Sequence, residues 1–306
     1  MKYVNFPGTE EKVSVLGLGT WVFGAENWGG ADEQQSFLAV EKAMELGVNF
    51  IDTAPFYGNG LAEKIVGRAI KKCRDKAFIA TKCGLIREGG WVSHNLSPES
   101  ISREIELSRQ RLLVDEVDLY LCHWPDPAVA IEDTVEALLK LQKQKKVRHL
   151  GVCNFDLNLL KKALRVGPIK VLQVQYSLLE RETEKELLPF CLEKGIGVMA
   201  YGVMGGGILT GKYLEKPQLA KKDARRMFYA FYQGEKFEKS QKLIHRLQGL
   251  GHPLNQLALN WVRQQPGIMT ALAGCRNVAQ VAENFGAIDW DLSSDELERI
   301  GELEKF

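Results

Sequence analysis

The stretch FIDTAPFYGNG, residues 50–60, opens as a buried strand and ends as a glycine loop, and it sets Asp52 and Tyr57 at the junction. So short an apolar run indicates a strand covered on both faces, and Gly58 and Gly60 mark where the chain turns away. The same pattern recurs along the chain. Runs of strand length begin near residues 13 (VSVLGLGT), 77 (AFIATK), 117 (VDLYLCHW), 149 (HLGVCNF), 171 (VLQVQYS), 196 (IGVMAYG) and 268 (IMTALAG), so eight are expected.

Segments with helical periodicity separate them. EQQSFLAVEKAMELG, residues 33–47, sets Phe37, Val40 and Met44 along one side and stops at Gly47. SPESISREIELSRQRLL, residues 97–113, begins with Ser97 as an N-cap and Pro98 at the first helical position. Parallel strands need crossovers, and helices must cover the sheet they make. Eight such units close into an α/β architecture, the (β/α)8 TIM barrel, and residues 1–306 fit it as one domain. Three additions are expected: an N-terminal β-hairpin around Pro7 and Gly8, a long loop and helical insertion after strand 7 that starts with GVMGGGILTGKY, and a C-terminal extra helix capped by Ser293 or Ser294.

Composition narrows the function classes. A formal net charge of +1 provides no field to draw nucleic acid or an anionic membrane, and the basic run at residues 140–148 reads as a solvated helix end. The six cysteines have no zinc-ligand spacing, so no metal is expected and a reducing cytoplasm fits best. The opening MKYVNFPGTEEK lacks a signal-peptide core, and no apolar run is long enough for a bilayer.

Reactive groups of such a barrel sit at the C-terminal ends of its strands. The second strand ends at Asp52 with Tyr57 in the next loop, the third at Lys82 and the fourth at His123. An Asp52–Lys82 pair that offsets its own desolvation could be purely structural, and His123 could be a packed mouth histidine. Tyr57, in a glycine-bounded loop, has no such packing account. A phenol beside an ammonium, which stabilises phenolate, suits protonation of a carbonyl oxygen. No side chain supplies hydride for the carbon, so a nicotinamide would have to lie in the mouth. Asn154, Gln175 and Tyr201 stand at later strand ends to hold its carboxamide and ring.

GLGTW, FIDTA with its following tyrosine, the lysine after the third strand, DLYLCHWPD, GVCNF, QVQYS, AYGVMGGGILTGKY and QVAENFGA occur in an order that resembles the aldo-keto reductase superfamily over nearly the whole chain. The branch it looks like contains bacterial inositol-operon-type reductases and potassium-channel β subunits. The resemblance implies an NADP-dependent oxidoreductase that reduces aldehydes or ketones or oxidises alcohols. Its tetrad would be Asp52, Tyr57, Lys82 and His123, with Tyr57 as general acid or base. Implied cofactor contacts come from Thr20, Trp21 and Asp52; from Asn154 and Gln175 at the carboxamide, with Tyr201 under the ring; from Gly202, Val203, Met204, Gly205 and Lys212 along the pyrophosphate; and from Gly274, Arg276, Gln280, Glu283 and Asn284 at the adenosine end.

Two positions depart from the family pattern. Cys153 stands where serine is frequent, and Gly274 and Gln280 stand where many members have cations, which leaves Arg276 for a 2′-phosphate. NADP(H) is the preferred cofactor and NAD(H) a possible one. Trp21, Phe56, Tyr57, His123 and Trp124 match substrate positions, and with Phe228, Tyr229, Phe231 and Tyr232 they suggest an apolar or sugar-stacking pocket for a small-molecule carbonyl or alcohol. The chain would act as a monomer or homo-oligomer. The channel-subunit likeness also allows an NADP(H)-binding regulatory module with little turnover.

Other motifs argue less. GLGTWVFG has Val22 where a Rossmann fingerprint needs its third glycine, and GGILTGKY has Tyr213 where a P-loop needs Ser or Thr. Cys83 and Cys122 should point away from Lys82 and His123 and fill core space. A Schiff-base aldolase using Lys82 is the rival enzyme class, opposed by Asp52, which favours the charged lysine.

Overall fold

A computed structural model of the protein describes residues 1–24, 30, 32–88, 91–220 and 223–303. Its strands are β1 (Tyr3–Asn5), β2 (Lys12–Ser14), β3 (Leu16–Gly19), β4 (Phe50–Asp52), β5 (Phe78–Cys83), β6 (Leu85–Glu88), β7 (Trp91–His94), β8 (Val117–Cys122), β9 (Val147–Cys153), β10 (Ile169–Gln175), β11 (Gly197–Tyr201) and β12 (Ile268–Gly274). Eight of them close a parallel barrel in the order β3-β4-β5-β8-β9-β10-β11-β12, with helices in the crossovers. These are the eight runs expected from the sequence. The run that begins at Val13 is divided, however: β2 pairs antiparallel with β1 as the N-terminal hairpin, the chain bends at Val15, and the barrel strand starts at Leu16.

Strand parity explains what faces the barrel axis. Successive side chains alternate, so Phe50 enters the interior, Ile51 faces the helices, and Asp52 enters again one layer nearer the mouth. The interior cluster contains Phe50, Phe78, Ala80, Leu119, Leu121, Val171, Met199 and Leu272, with Phe6 and Val13 of the N-terminal segment packed into it. Two residues beyond Ala80 and Leu121 come Lys82 and His123, on the same side and toward the same end. The intervening Ile79, Cys83, Tyr120 and Cys122 join the core under the helices, so the cysteines are fillers as expected.

Capping sets the helix bounds. Ser97 accepts from Ser100 N at the start of Pro98–Leu112, and Ser293 rather than Ser294 caps Ser294–Gly301 in a reciprocal box with Glu296. Helix Glu33–Glu45 buries Ser36, Ala39, Val40 and Ala43, while Phe37 and Met44 of the expected stripe flank that face half-buried. In the basic run 140–148, Lys140, Lys143 and Lys145 are exposed at the helix end as expected, whereas Lys146 meets Glu106 at 2.6 Å and Arg148 meets Asp118 at 3.0 Å. One element was not anticipated. β6 and β7 form an antiparallel hairpin directly after barrel strand β5, and the signal for it was Gly89–Gly90 between two alternating runs. Among the described residues, no helix is long and apolar enough to cross a membrane.

Behind β5, the buried Glu104 of helix Pro98–Leu112 accepts from Gly84 N at 3.1 and 3.2 Å and from Ser100 Oγ at 3.1 Å. Burial pushes its carboxyl up to about 7 against those donors. The native state therefore keeps a proton that the unfolded chain has lost above its ordinary value of 4.5. The associated stability is complete below that value and disappears as pH rises through about 7. Urea unfolding of wild type and Glu104→Gln should show their difference changing by on the order of 3 kcal/mol across this window, the wild type losing ground as pH rises. A constant difference would contradict the assignment.

Candidate active site

Lys82 is fully buried and its three ammonium protons are all engaged. Nζ lies 2.7 and 2.9 Å from the two Asp52 oxygens, 3.0 Å from Thr53 O and 3.1 Å from Tyr57 Oη. Tyr57 Oη thus accepts from Lys82, and its own proton is free to point into the cavity that Tyr57 lines. Burial, followed by the charge of Asp52, raises the Tyr57 phenol well above its ordinary value. That reverses the expectation that the ammonium would stabilise phenolate. Asp52 offsets the Lys82 charge at contact distance, so the lysine orients the phenol and the phenol keeps its proton.

His123 stands edge-on to the Tyr57 ring, centroids 5.7 Å apart. Burial first, then the nearby charges of Lys82 and His94, lower its imidazole well below the ordinary value, so the ring is neutral and can donate one N–H. Asp52 has a further donor in Gln173, whose Nε2 lies 2.9 Å from Oδ1, while Gln173 Oε1 accepts from Cys153 Sγ at 3.1 Å. Asn154 Nδ2 donates to His123 O and to Cys153 Sγ, both at 3.1 Å, and Asn154 Oδ1 accepts from Tyr201 at 2.9 Å. Cys153 thus occupies the serine position with hydrogen bonds to both neighbouring amides.

Above this rim runs a cavity of ≈ 640 Å³ with three chemically distinct parts. Trp21, Phe56, Leu85, Trp124 and Phe228 wall the part beside Tyr57 and His123. Phe228 meets Trp21 edge-on at 5.0 Å, whereas Phe231 and Tyr232 of the same aromatic cluster are buried in the core. Gly202, Val203, Met204, Gly206, Gly207, Thr210 and Lys212 line the middle. A Cβ on Gly206 would lie 2.8 Å from the Tyr229 ring, so bare backbone is needed there to let the chain pass. The far part holds Arg225, Asn255, Gly274, Arg276, Gln280, Glu283 and Asn284. Arg225 is fixed by Asp223 at 2.8 and 2.6 Å and by Tyr213 at 2.5 Å. Burial and then the charge of Arg225 lower Arg276, as two neighbouring guanidiniums require.

Four residues expected at the site lie off the cavity wall. Lys82 sits beneath Tyr57 with its ammonium engaged by Asp52, Thr53 O and Tyr57 Oη, which argues against the aldolase reading. Thr20 is buried and donates to Asp52 O at 2.9 Å. Gly205 faces Leu179, 2.8 Å from where its Cβ would be. Gln175 gives way to Gln173: both share one side of β10, but Gln175 ends the strand and packs under Gly202, and only Gln173 reaches the cavity. Sequence reading missed Gln173, Arg225 and Leu85. Counting pleats inward from Gln175 would have exposed the first, and Gly89–Gly90 the hairpin that brings the last.

The donor set fits a nicotinamide dinucleotide. Amides and a tyrosine stand at one end, cavity-lining glycine backbone with Lys212 in the middle, and two guanidiniums at the other. Among the described residues, no cluster of His, Cys, Asp or Glu could hold a metal.

Comparison with known proteins agrees. The model of the Aldo/keto reductase family matches residues 15–305. "Aldo-keto reductase YhdN" of Bacillus subtilis is 35% identical, across 99% of this chain and 93% of its own length. An "NADH-specific methylglyoxal reductase" of Escherichia coli is 33% identical, across 99% and 98%. The solved structure of a glycerol dehydrogenase from Gluconobacter oxydans superposes with a TM-score of 0.89 at 34% identity, covering 98% of this chain and 94% of that one. On the match of fold, rim and sequence together, the chain belongs to the aldo/keto reductase family.

Proposed function

We propose that the protein reduces small aldehydes or ketones to alcohols, or the reverse, with NADP(H) as preferred cofactor. The observation that carries this reading is the 3.1 Å contact from Lys82 Nζ to Tyr57 Oη, which turns the phenol proton toward the cavity. Asn154, Gln173 and Tyr201 hold the nicotinamide end, the 202–207 backbone and Lys212 the phosphates, and Arg225 and Arg276 the adenosine end. Bound there, the nicotinamide supplies hydride to the carbonyl carbon. Tyr57 delivers its proton to the carbonyl oxygen, and neutral His123 orients that oxygen by donating an N–H. Asp52 and Lys82 hold Tyr57 in place. The aromatic walls exclude water from the reacting centre and accept an apolar body or a sugar face. The relatives named as a methylglyoxal reductase and a glycerol dehydrogenase agree with small carbonyl or alcohol substrates.

One chain supplies the whole rim, which agrees with action as a monomer or as a homo-oligomer. The cysteines, all free thiols and mostly buried, suit the cytoplasm.

Tyr57→Phe should lower kcat by about 10²–10⁴ while leaving NADPH affinity near wild type, because only the proton donor is removed. Unchanged turnover would discard Tyr57; NADPH binding without turnover of any carbonyl by the wild type would favour the regulatory module. Arg276→Ala and Arg225→Ala should each weaken NADPH on the order of tenfold more than NADH in binding titrations, the loss expected for one charge-assisted contact. Equal losses for both cofactors would remove the phosphate assignment. A profile of kcat/KM for reduction should stay flat between about pH 6 and 9, because His123 is already neutral and Tyr57 still protonated there. An inflection near the ordinary imidazole value of 6.5 would contradict it.

A further inference from the structure

Resting on Tyr57 as proton donor, we infer that the turn at residues 20–24 is the positioning element of the loop carrying Asp52 and Tyr57, with Gly24 its positioning residue because two backbones must touch there. The loop leaves β4 at Asp52 and enters helix Leu61–Ile70. At its start, Thr20 N and Thr20 Oγ both donate to Asp52 O, at 3.0 and 2.9 Å. At its end, a Cβ placed on Gly24 would lie 2.6 Å from Gly58 N, 3.0 Å from the Tyr57 carbonyl carbon and 3.3 Å from Tyr57 Cα. From the other side, a Cβ on Gly58 would lie 2.8 Å from Gly24 Cα and 3.0 Å from Gly24 O. These neighbours are backbone, which cannot swing aside as a side-chain tip can.

Between the two anchors, the Trp21 ring stacks on the Tyr57 ring with centroids 6.2 Å apart, and Phe23 is completely buried. On its far side the loop is fixed as well: Tyr57 N donates to Ala54 O at 3.1 Å, and Ala62 N to Tyr57 O at 3.2 Å. A side chain at position 24 must therefore push the Tyr57 peptide itself. Gly58 sits at φ 61, where any L-residue is strained, but Gly24 is absent from the positive-φ region, so alanine there tests space alone.

Gly24→Ala, Tyr57→Phe and the double variant are assayed for carbonyl reduction with NADPH, alongside NADPH binding by fluorescence and thermal melting. Gly24→Ala should lower kcat about 10- to 100-fold, the penalty of a displaced catalytic group, with NADPH affinity within about threefold of wild type. In the Tyr57→Phe background the same substitution should cost less than about threefold, because it acts through the phenol already removed. Gly195→Ala is the control for strain without crowding, since Gly195 has φ 65 and nothing within 4 Å; it should lower the melting temperature and spare kcat.

A kcat for Gly24→Ala within about twofold of wild type, or an equal loss in both backgrounds, overturns the inference. Should Gly24→Ala not fold, Gly58→Ala, which adds the strain of φ 61 to the same contact, is read against Gly195→Ala, which carries such strain alone; failure of Gly58→Ala to fold where Gly195→Ala folds would make the contact a folding determinant and equally overturn the inference. Absence of reduction by the wild type would defeat the functional reading itself, whereas wild-type turnover with an unaffected Gly24→Ala defeats only the role of the turn.

Discussion

An ammonium inside a β-barrel is tolerable only beside a carboxylate, and the contact of Lys82 Nζ with Asp52 Oδ1 at 2.7 Å is the one on which the mouth depends. Taking away one partner of such a pair strands the other charge, at a cost of about 3–5 kcal/mol. The pair does more than neutralise itself. Lys82 uses a remaining proton on Tyr57 Oη, and Asp52 uses a remaining lone pair on Gln173, so one ion pair fixes both the phenol and the amide end of the cavity. Barrel parity makes this possible, since the positions one layer above Phe50 and Ala80 face the axis and each other.

The cavity is graded rather than uniform. Cations occupy the middle and far parts, where Lys212, Arg225 and Arg276 would meet phosphate, and uncharged aromatic groups surround the end beside the phenol. A neutral His123 and a protonated Tyr57 suit the latter, because both can donate to an oxygen without placing a second net charge beside Lys82. Cys153 keeps this arrangement without the serine frequent in the family, its sulfur linking the amides of Asn154 and Gln173.

Much of this was legible in the sequence because it follows from local rules. Both-face apolar runs gave the barrel strands, and Ser97 with Pro98 gave a helix start. Aspartate, lysine and histidine at three successive strand ends gave the rim. What escaped depends on depth. Gln173 and Gln175 have the same parity, and only barrel tilt and stagger decide which layer meets the cavity. The VSVLGLGT run hides its bend because Val15 is as apolar as Val13 before it and Leu16 after it. Arg225 lies in an insertion without periodicity, and its orientation comes from Asp223 and Tyr213. The direction of the Tyr57 shift was misjudged because proximity to Lys82 is visible in a strand pattern, whereas the depth of burial is not.

The most direct measurement of the central claim is a mutant cycle on turnover with Asp52→Asn, Lys82→Met and both together. If Asp52 acts by holding Lys82 under the phenol, each single variant loses turnover and the double variant loses no more than Lys82→Met alone. Losses that multiply in the double variant would show two independent contributions and contradict the account.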